Sequence, residues 1–476
     1  MLNNLTNFFS ILAKKRYKST PEDTDLVALG TKDRTFEGGY KPVATRLEDL
    51  KSYFGGGGGS WDLLRTAVID PQTGDDATGT IGDGNLPYKT IAAATSAGAT
   101  NFYLLPGTYT ETVTVASNHT YYSAQGVLFT GGGIASPAGA GQISNWKWYG
   151  NANFIGDFRA FYLINNDVYY TDLVFEFDTI RTTGGNSIDL YIWASLSQDA
   201  ESTVTIIGNE IDSYSANGNV IGPYGNVSGT INIRKKLSGF YSLIASSGTG
   251  KLTINCPNMV LKDGGWAGNN GAFKQLFLSY AITGYEDITI NGNFYSEVTG
   301  SLGSIAGVIV FHLGDSPPRL QFNGRAKADY LLYGVRMATR GGTVVVQGDM
   351  YLPNGRLFDQ SQTENVASFE NGRSTVSVGS VTGAGTTVYL KDYEILMTAN
   401  THIIRMADIS TEIYTNNVNA QGVGASASSY FIDTGGAPFQ AGLKNTWSTQ
   451  NLDPGFVNLY ASGFVNEPLL QVNKII

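Results

Sequence analysis

Short runs in which apolar and polar residues alternate recur along the second half of the chain. They read TVTIIG at 203–208, GTINI at 229–233, KLTIN at 251–255, DITING at 287–292, RLQFNG at 319–324 and GTVVVQG at 342–348. STVSVG at 374–379, TTVYL at 386–390 and TEIYT at 411–415 follow. A period of two puts the apolar side chains on one face, which is the signature of a strand. Few of these runs flank a two-residue Asn-Gly or Asp-Gly turn, as hairpins require. Little of the sequence between them has a helical period, which disfavours α/β barrels and doubly wound sheets. The runs return every ~20 to 35 residues, within the range of repeat architectures. This pattern predicts an all-β chain wound as a right-handed parallel β-helix, with a β-sandwich or propeller as the alternative. Coils of roughly 25 to 30 residues, stacked about 4.8 Å apart, would give about fourteen coils and a rod of roughly 70 Å.

Residues 1–54 have a different texture. Leu2, Leu5, Phe8, Phe9 and Leu12 recur at three and four residues, a helical stripe that either packs on its own chain or docks into a partner. Residues 44–54 predict a short helix with Thr45 as N-cap and Glu48 in the capping-box position. Five glycines and Ser60 then fill 55–60, a composition that favours no regular structure and reads as a hinge. The expected organisation is an attachment segment over 1–54, the hinge at 55–60, a cap and first coils over 61–130, and a solenoid body over 131–440. A C-terminal cap or interface segment over 441–476 completes it, because Leu469, Leu470, Val472, Ile475 and Ile476 make that end very apolar.

Composition narrows the function. Only 15% of the 476 residues are charged, against roughly 25% in ordinary soluble domains. The formal net charge is −9, the wrong sign for a nucleic-acid footprint. One cysteine, Cys256, excludes an intrachain disulfide framework. It and three scattered histidines make a poor zinc set, and no cofactor is expected. Lys14, Lys15 and Arg16 follow the first apolar stretch instead of preceding it, so no secretory signal is expected. No window of about 20 apolar residues occurs, so no membrane insertion is expected either.

Candidate chemistry is sparse. Glu176 and Asp178 in DLVFEFD (172–178) would share a strand face about 7 Å apart, inside the roughly 6.5–9.5 Å window of inverting glycosidases. The alternative is a solvated outer face with no catalytic residue. RKK at 234–236 reads as a solvated loop. Asp70, Asp75, Asp76 and Asp83 lie among glycines, an oxygen-rich loop that can take calcium or simply turn. Trp146, Trp148 and Tyr149 could form a carbohydrate-binding platform, or fill a core or a subunit interface. GTIGDG at 79–84 lacks the Gly-Lys-Ser/Thr ending of a phosphate loop. His119 has no nucleophile motif beside it, and Cys256 reads as a small buried hydrophobe.

Residues 66–130 resemble the start of a pectate-lyase-like β-helix. The resemblance rests on VIDP (68–71), GDD (74–76), GDG (82–84), LPYKTIAAA (86–94) and NFYLLPGTYTETVTV (101–115). It implies a first strand, a Gly/Asp loop, a short capping helix near Thr90, and a strand that opens the first full coil. TDLVALGTKD (24–33), GGYKPVAT (38–45) and LEDL (47–50) resemble head-attachment segments of bacteriophage fibre and tail-spike proteins. That second resemblance implies virion attachment through 1–54, with Leu26, Leu29 and Tyr40 joining the apolar stripe, and usually a homotrimer. The expected function is therefore a structural virion protein. It would be a head, collar or tail fibre or spike that bears on head, portal, collar or tail proteins through 1–54. A host surface glycan is a further candidate partner. The alternative is a tail-spike depolymerase, a glycoside hydrolase or lyase acting on host surface polysaccharide.

Overall fold

The computed structural model describes residues 26–32, 40–46, 65–139, 141–163, 168–192, 201–215, 218–264, 274–279, 286–300, 306–311, 319–338, 340–360, 362–398, 404–406, 411–422, 430–433, 447–452, 458–460 and 472–474. From Thr66 onward the chain winds through three sheet faces in turn, and each strand pairs in parallel with its counterpart one coil away. The first face starts at Thr66–Ile69 and passes through Asn101–Leu104, Thr120–Ser123, Lys147–Gly150 and Leu173–Glu176. Among the described residues it ends at Trp447 and Ser448. The second face starts at Gly107–Tyr109, the third at Val113–Thr114. This is a parallel β-helix.

Coil lengths follow from the register. Asn101 pairs with Thr120, 19 residues on, and Leu252 pairs with Ile288, 36 residues on. Among the described residues the first face carries fifteen successive strand positions, close to the expected fourteen. The strands differ from expectation in one respect. Ser202–Asp212, Ile221–Gly239 and Ile244–Leu261 run on around the corners from one face to the next, so they are longer than the alternating runs suggest. Arg234, Lys235 and Lys236, expected in a loop, lie on one of these strands at a register shift. The run at 374–379 opens on a second-face position, and the first-face strand of that coil is Val366–Glu370.

Alternation does the local work. Thr66–Ile69, Asn101–Leu104 and Thr120–Ser123 each bury every second side chain. The buried positions fall in register and build one continuous core. Phe175, Ile206, Ile231, Ile254, Ile290, Phe322, Val346, Phe369 and Leu390 stack coil upon coil. The early coils use rings: Phe102 stacks on Tyr121 at 4.5 Å and Phe161 on Phe175 at 4.5 Å. The helix Ile91–Ser96 buries Ile91 and Ala94 against this first stretch of core, where the resemblance placed a cap.

The corner between the first and second faces is a ladder of its own. Asn323, Asn291 and Asn255 each donate a side-chain amide to the side-chain carbonyl one coil earlier, a one-way chain that ends on Asn232, at 2.6 to 2.7 Å. Next to it stack Gly292, Gly324, Gly348 and Gly372. A Cβ on any of the last three would meet the carbonyl oxygen of the glycine one coil earlier. Gly348 also has φ +130°, a conformation that side chains rarely adopt.

N-terminal to the solenoid, Leu26–Lys32 and Tyr40–Arg46 pair antiparallel as a two-stranded element. The helix expected from Ala44 is corrected at its start, since Ala44, Thr45 and Arg46 are strand residues opposite Ala28, Val27 and Leu26. Three β-branched or β-tolerant neighbours, Val43, Thr45 and Val27, suit that ladder. Residues 47–60 lie outside the described residues. In the segment 441–476, expected as a cap or interface, Trp447–Leu452 runs from the first face onto the second, Val472–Lys474 continues the second and Asn458–Tyr460 the third.

Gly348→Ala is expected to cost at least about 2 kcal/mol, through strained backbone and a blocked corner. Gly300→Ala, where an added Cβ meets nothing within 4 Å, is expected to be near neutral. Urea midpoints for the two variants check this.

Candidate functional site

The aspartate loop folds onto itself. Asp70 Oδ1 accepts from the N–H groups of Gln72 and Thr73, and its Oδ2 accepts from the Thr73 hydroxyl. Burial pushes Asp70 up, but these hydrogen bonds outweigh it and hold the carboxyl below its usual range. Asp75 accepts from Ala77 N–H and the Thr78 hydroxyl, and Asp83 from Asn85 N–H. Asp76 reaches across the loop to the N–H groups of Lys89 and Thr90 and to the Thr90 hydroxyl. The four carboxylates thus accept hydrogen bonds within the turns and at the start of the helix. Among the described residues no three His, Cys, Asp or Glu side chains are placed to hold a metal ion. Sequence reasoning missed Glu111, whose two oxygens accept from Ile91 and Ala92 N–H at 2.8 and 3.0 Å. It acts from a later turn, so no local motif announces it.

The aromatic group divides. Trp146 and Trp148 are both 0% exposed, inside the core beside Tyr121, so neither can stack on a sugar. The alternation that puts them on one shared face points that face inward. Tyr149 points outward and stacks on Tyr122 one coil away at 5.6 Å. Of the attachment candidates, Leu26, Leu29 and Tyr40 lie on the antiparallel pair. Leu2, Leu5, Phe8, Phe9 and Leu12 lie outside the described residues. Cys256 is buried with its thiol pushed up to about 11 by burial, and His119 is buried with its ring beside the Tyr121 hydroxyl.

The carboxylate pair is also engaged. Glu176 meets Arg234 at 3.2 Å and accepts from Gly150 N–H. Asp178 accepts from the Asn209 side chain at 2.8 Å. Phe177 points into the core between them. Each oxygen set already has a partner from the neighbouring coils, an arrangement that staples coils together. A second staple, absent from the sequence reading, centres on buried Asp212. Lys262 pairs with it, Ser238 donates to it and Arg181 stands 3.8 Å away. Lys262 also lies 4.0 Å over the Tyr214 ring. Burial pushes Asp212 up, and the Lys262 and Ser238 hydrogen bonds outweigh it, so the carboxyl sits below its ordinary range.

A shallow groove of about 480 Å³ lies on the first face. Three coils line it with outward side chains: Ser368 and Glu370, then Tyr389 and Lys391, then Tyr414 and Asn416. Tyr389 and Tyr414 stack at 4.9 Å and 13°. Glu370 accepts from the Ser368 hydroxyl at 2.8 Å and from Gln347. The Tyr414 hydroxyl donates to Glu412, and burial and that carboxylate push the phenol up. The groove offers a ring, a carboxylate, an ammonium and an amide. Glu370 is the one carboxylate among its lining residues, with Glu412 beside it through the Tyr414 hydroxyl.

No protein-family model, no curated protein and no solved structure matches this chain.

Asp76→Ala removes three hydrogen bonds at the helix start and is expected to cost roughly 2 kcal/mol, with no recovery on adding calcium. Thermal unfolding with and without calcium checks this. Asp212→Asn strands Lys262 without its counter-charge and is expected to cost about 3 kcal/mol at pH 7. Because the folded pKa of Asp212 is depressed, its stabilisation is present above the unfolded value near 3.9 and is lost as pH falls through the folded one. Urea unfolding of both forms at pH 7 and pH 3 should show the gap between them shrinking at the lower pH.

Proposed function

We propose that this chain is a structural appendage of a bacteriophage particle, a homotrimeric fibre or spike. Its N-terminal segment attaches to head, portal, collar or tail, and its β-helix projects outward for assembly or host-surface adhesion. The observation that supports the reading is the contrast between two β-architectures in one chain. A small antiparallel pair occupies 26–46, five glycines follow at 55–59, and a parallel solenoid with one continuous core takes the rest of the described chain. An anchor, a joint and a rod have this order. Trimerisation would cover outward apolar side chains such as Ile155, Tyr295 and Tyr351, each more than a third exposed. Engagement of Glu176 and Asp178 by Arg234 and Asn209 favours adhesion over depolymerisation.

Solution mass of the full chain, beside a chain starting at Trp61, tests the proposal. Three copies in both are expected, with trimer contacts in the rod and residues 1–54 free to bind the particle. A monomer in both would overturn it.

A further inference from the structure

We propose that the groove beside Tyr389 is a saccharide subsite, in which one pyranose ring of a surface polysaccharide stacks on the free face of that tyrosine. This rests on the adhesive reading above and assigns it a place and a ligand class. The argument starts from the ladder. Ser368, Tyr389 and Tyr414 occupy one outward position on three successive coils. Tyr414 covers one face of the Tyr389 ring. The position on the other side holds Ser368, a short side chain that is itself 6% exposed and is turned to Glu370. Tyr389 is 40% exposed. The step from serine to tyrosine gives the groove an aromatic wall.

The neighbouring outward position supplies the rim. Glu370, Lys391 and Asn416 follow one another in register, giving an acceptor, a donor and an amide that is both. A pyranose presents the complementary pair of surfaces, an apolar face of C–H groups and an equatorial belt of hydroxyls that donate and accept. Coils are about 4.8 Å apart, close to the length of one sugar unit. A glycan lying along the solenoid therefore meets a fresh polar side chain at each coil. An apolar peptide would find no hydrophobic rim, and a nucleic acid would find one lysine in a chain of net charge −9.

The test uses the full-length protein and saturation-transfer NMR with defined hexasaccharides of glucose, galactose, mannose and N-acetylglucosamine. At least one is expected to bind. Tyr389→Ala is expected to weaken that binding at least tenfold. Ser368→Tyr, which crowds the groove and keeps Tyr389, should do the same, while Lys327→Ala on another face leaves it unchanged. Circular dichroism of each variant must match the parent. Binding to none of the sugars, or binding indifferent to both groove variants, overturns the subsite. So does a Tyr389→Ala variant that alters the mass of the assembly and not sugar binding, because the face would then be a contact between copies. A trimer that binds no sugar removes the subsite and leaves the appendage reading standing. A monomer that binds sugar through Tyr389 does the reverse.

Discussion

The backbone N–H and C=O groups of each coil point along the stacking direction and find their partners in the coils before and after. That single requirement propagates through the molecule. Buried backbone polar groups must be paired, so register cannot drift by one residue without turning every apolar side chain outward. Once register is held, each side chain sits above its counterpart one coil earlier. Inside, this gives the column from Phe175 to Leu390. At the corner it gives the amide chain from Asn232 to Asn323, and beside it a glycine column where the backbones pass too closely for a Cβ. Outside, it gives paired charges such as Arg325–Asp349–Arg373, where one carboxylate serves two coils.

The same requirement explains what could be read from the sequence. First-face strands were legible because their alternation lasts long enough to register as period two, as in TINI and TVVVQ. The third face was not: its first strands, Val113–Thr114 and Ile134–Ala135, are two residues long, and later ones such as Gln275–Ser279 and Gly307–Phe311 are buried at every position, so none of these carries the period. The helix Ile91–Ser96 was visible through its alanines, yet the carboxylate that holds its first turn comes from Glu111, a contact fixed only by the winding of the coil. The tryptophans show the limit of pattern reasoning most clearly. Spacing puts Trp146 and Trp148 on one face, but which face is inward depends on the register with Tyr121. Thr45 and Glu48 satisfy a capping pattern, but the strand partner of Thr45, Val27, lies 18 residues earlier and overrides it.

Candidate sites in such a fold must be separated from staples. Glu176 with Arg234, Asp178 with Asn209, and Asp212 with Lys262 each join residues at least 31 apart in sequence and adjacent in space. In a compact enzyme such clusters would invite a catalytic reading. Here they are what a low-charge surface uses to tie coil to coil, and each carboxylate has its partner supplied from within the chain. Their exposure to titration marks stability, with Asp212 held ionised to low pH because Lys262 and Ser238 outweigh the burial.

Outward rows are mixed: Thr289, Gln321, Val345, Ser368 and Tyr389 follow one another in register. Ring stacks form within such rows, as at Tyr122–Tyr149 and Tyr389–Tyr414. The second of these stops at Ser368. Filling that position with a second aromatic would add a stacked pair worth about 0.5–1.5 kcal/mol. A surface that forgoes this contribution, with Glu370 and Lys391 side by side along the same edge, has the features that the proposed saccharide subsite requires.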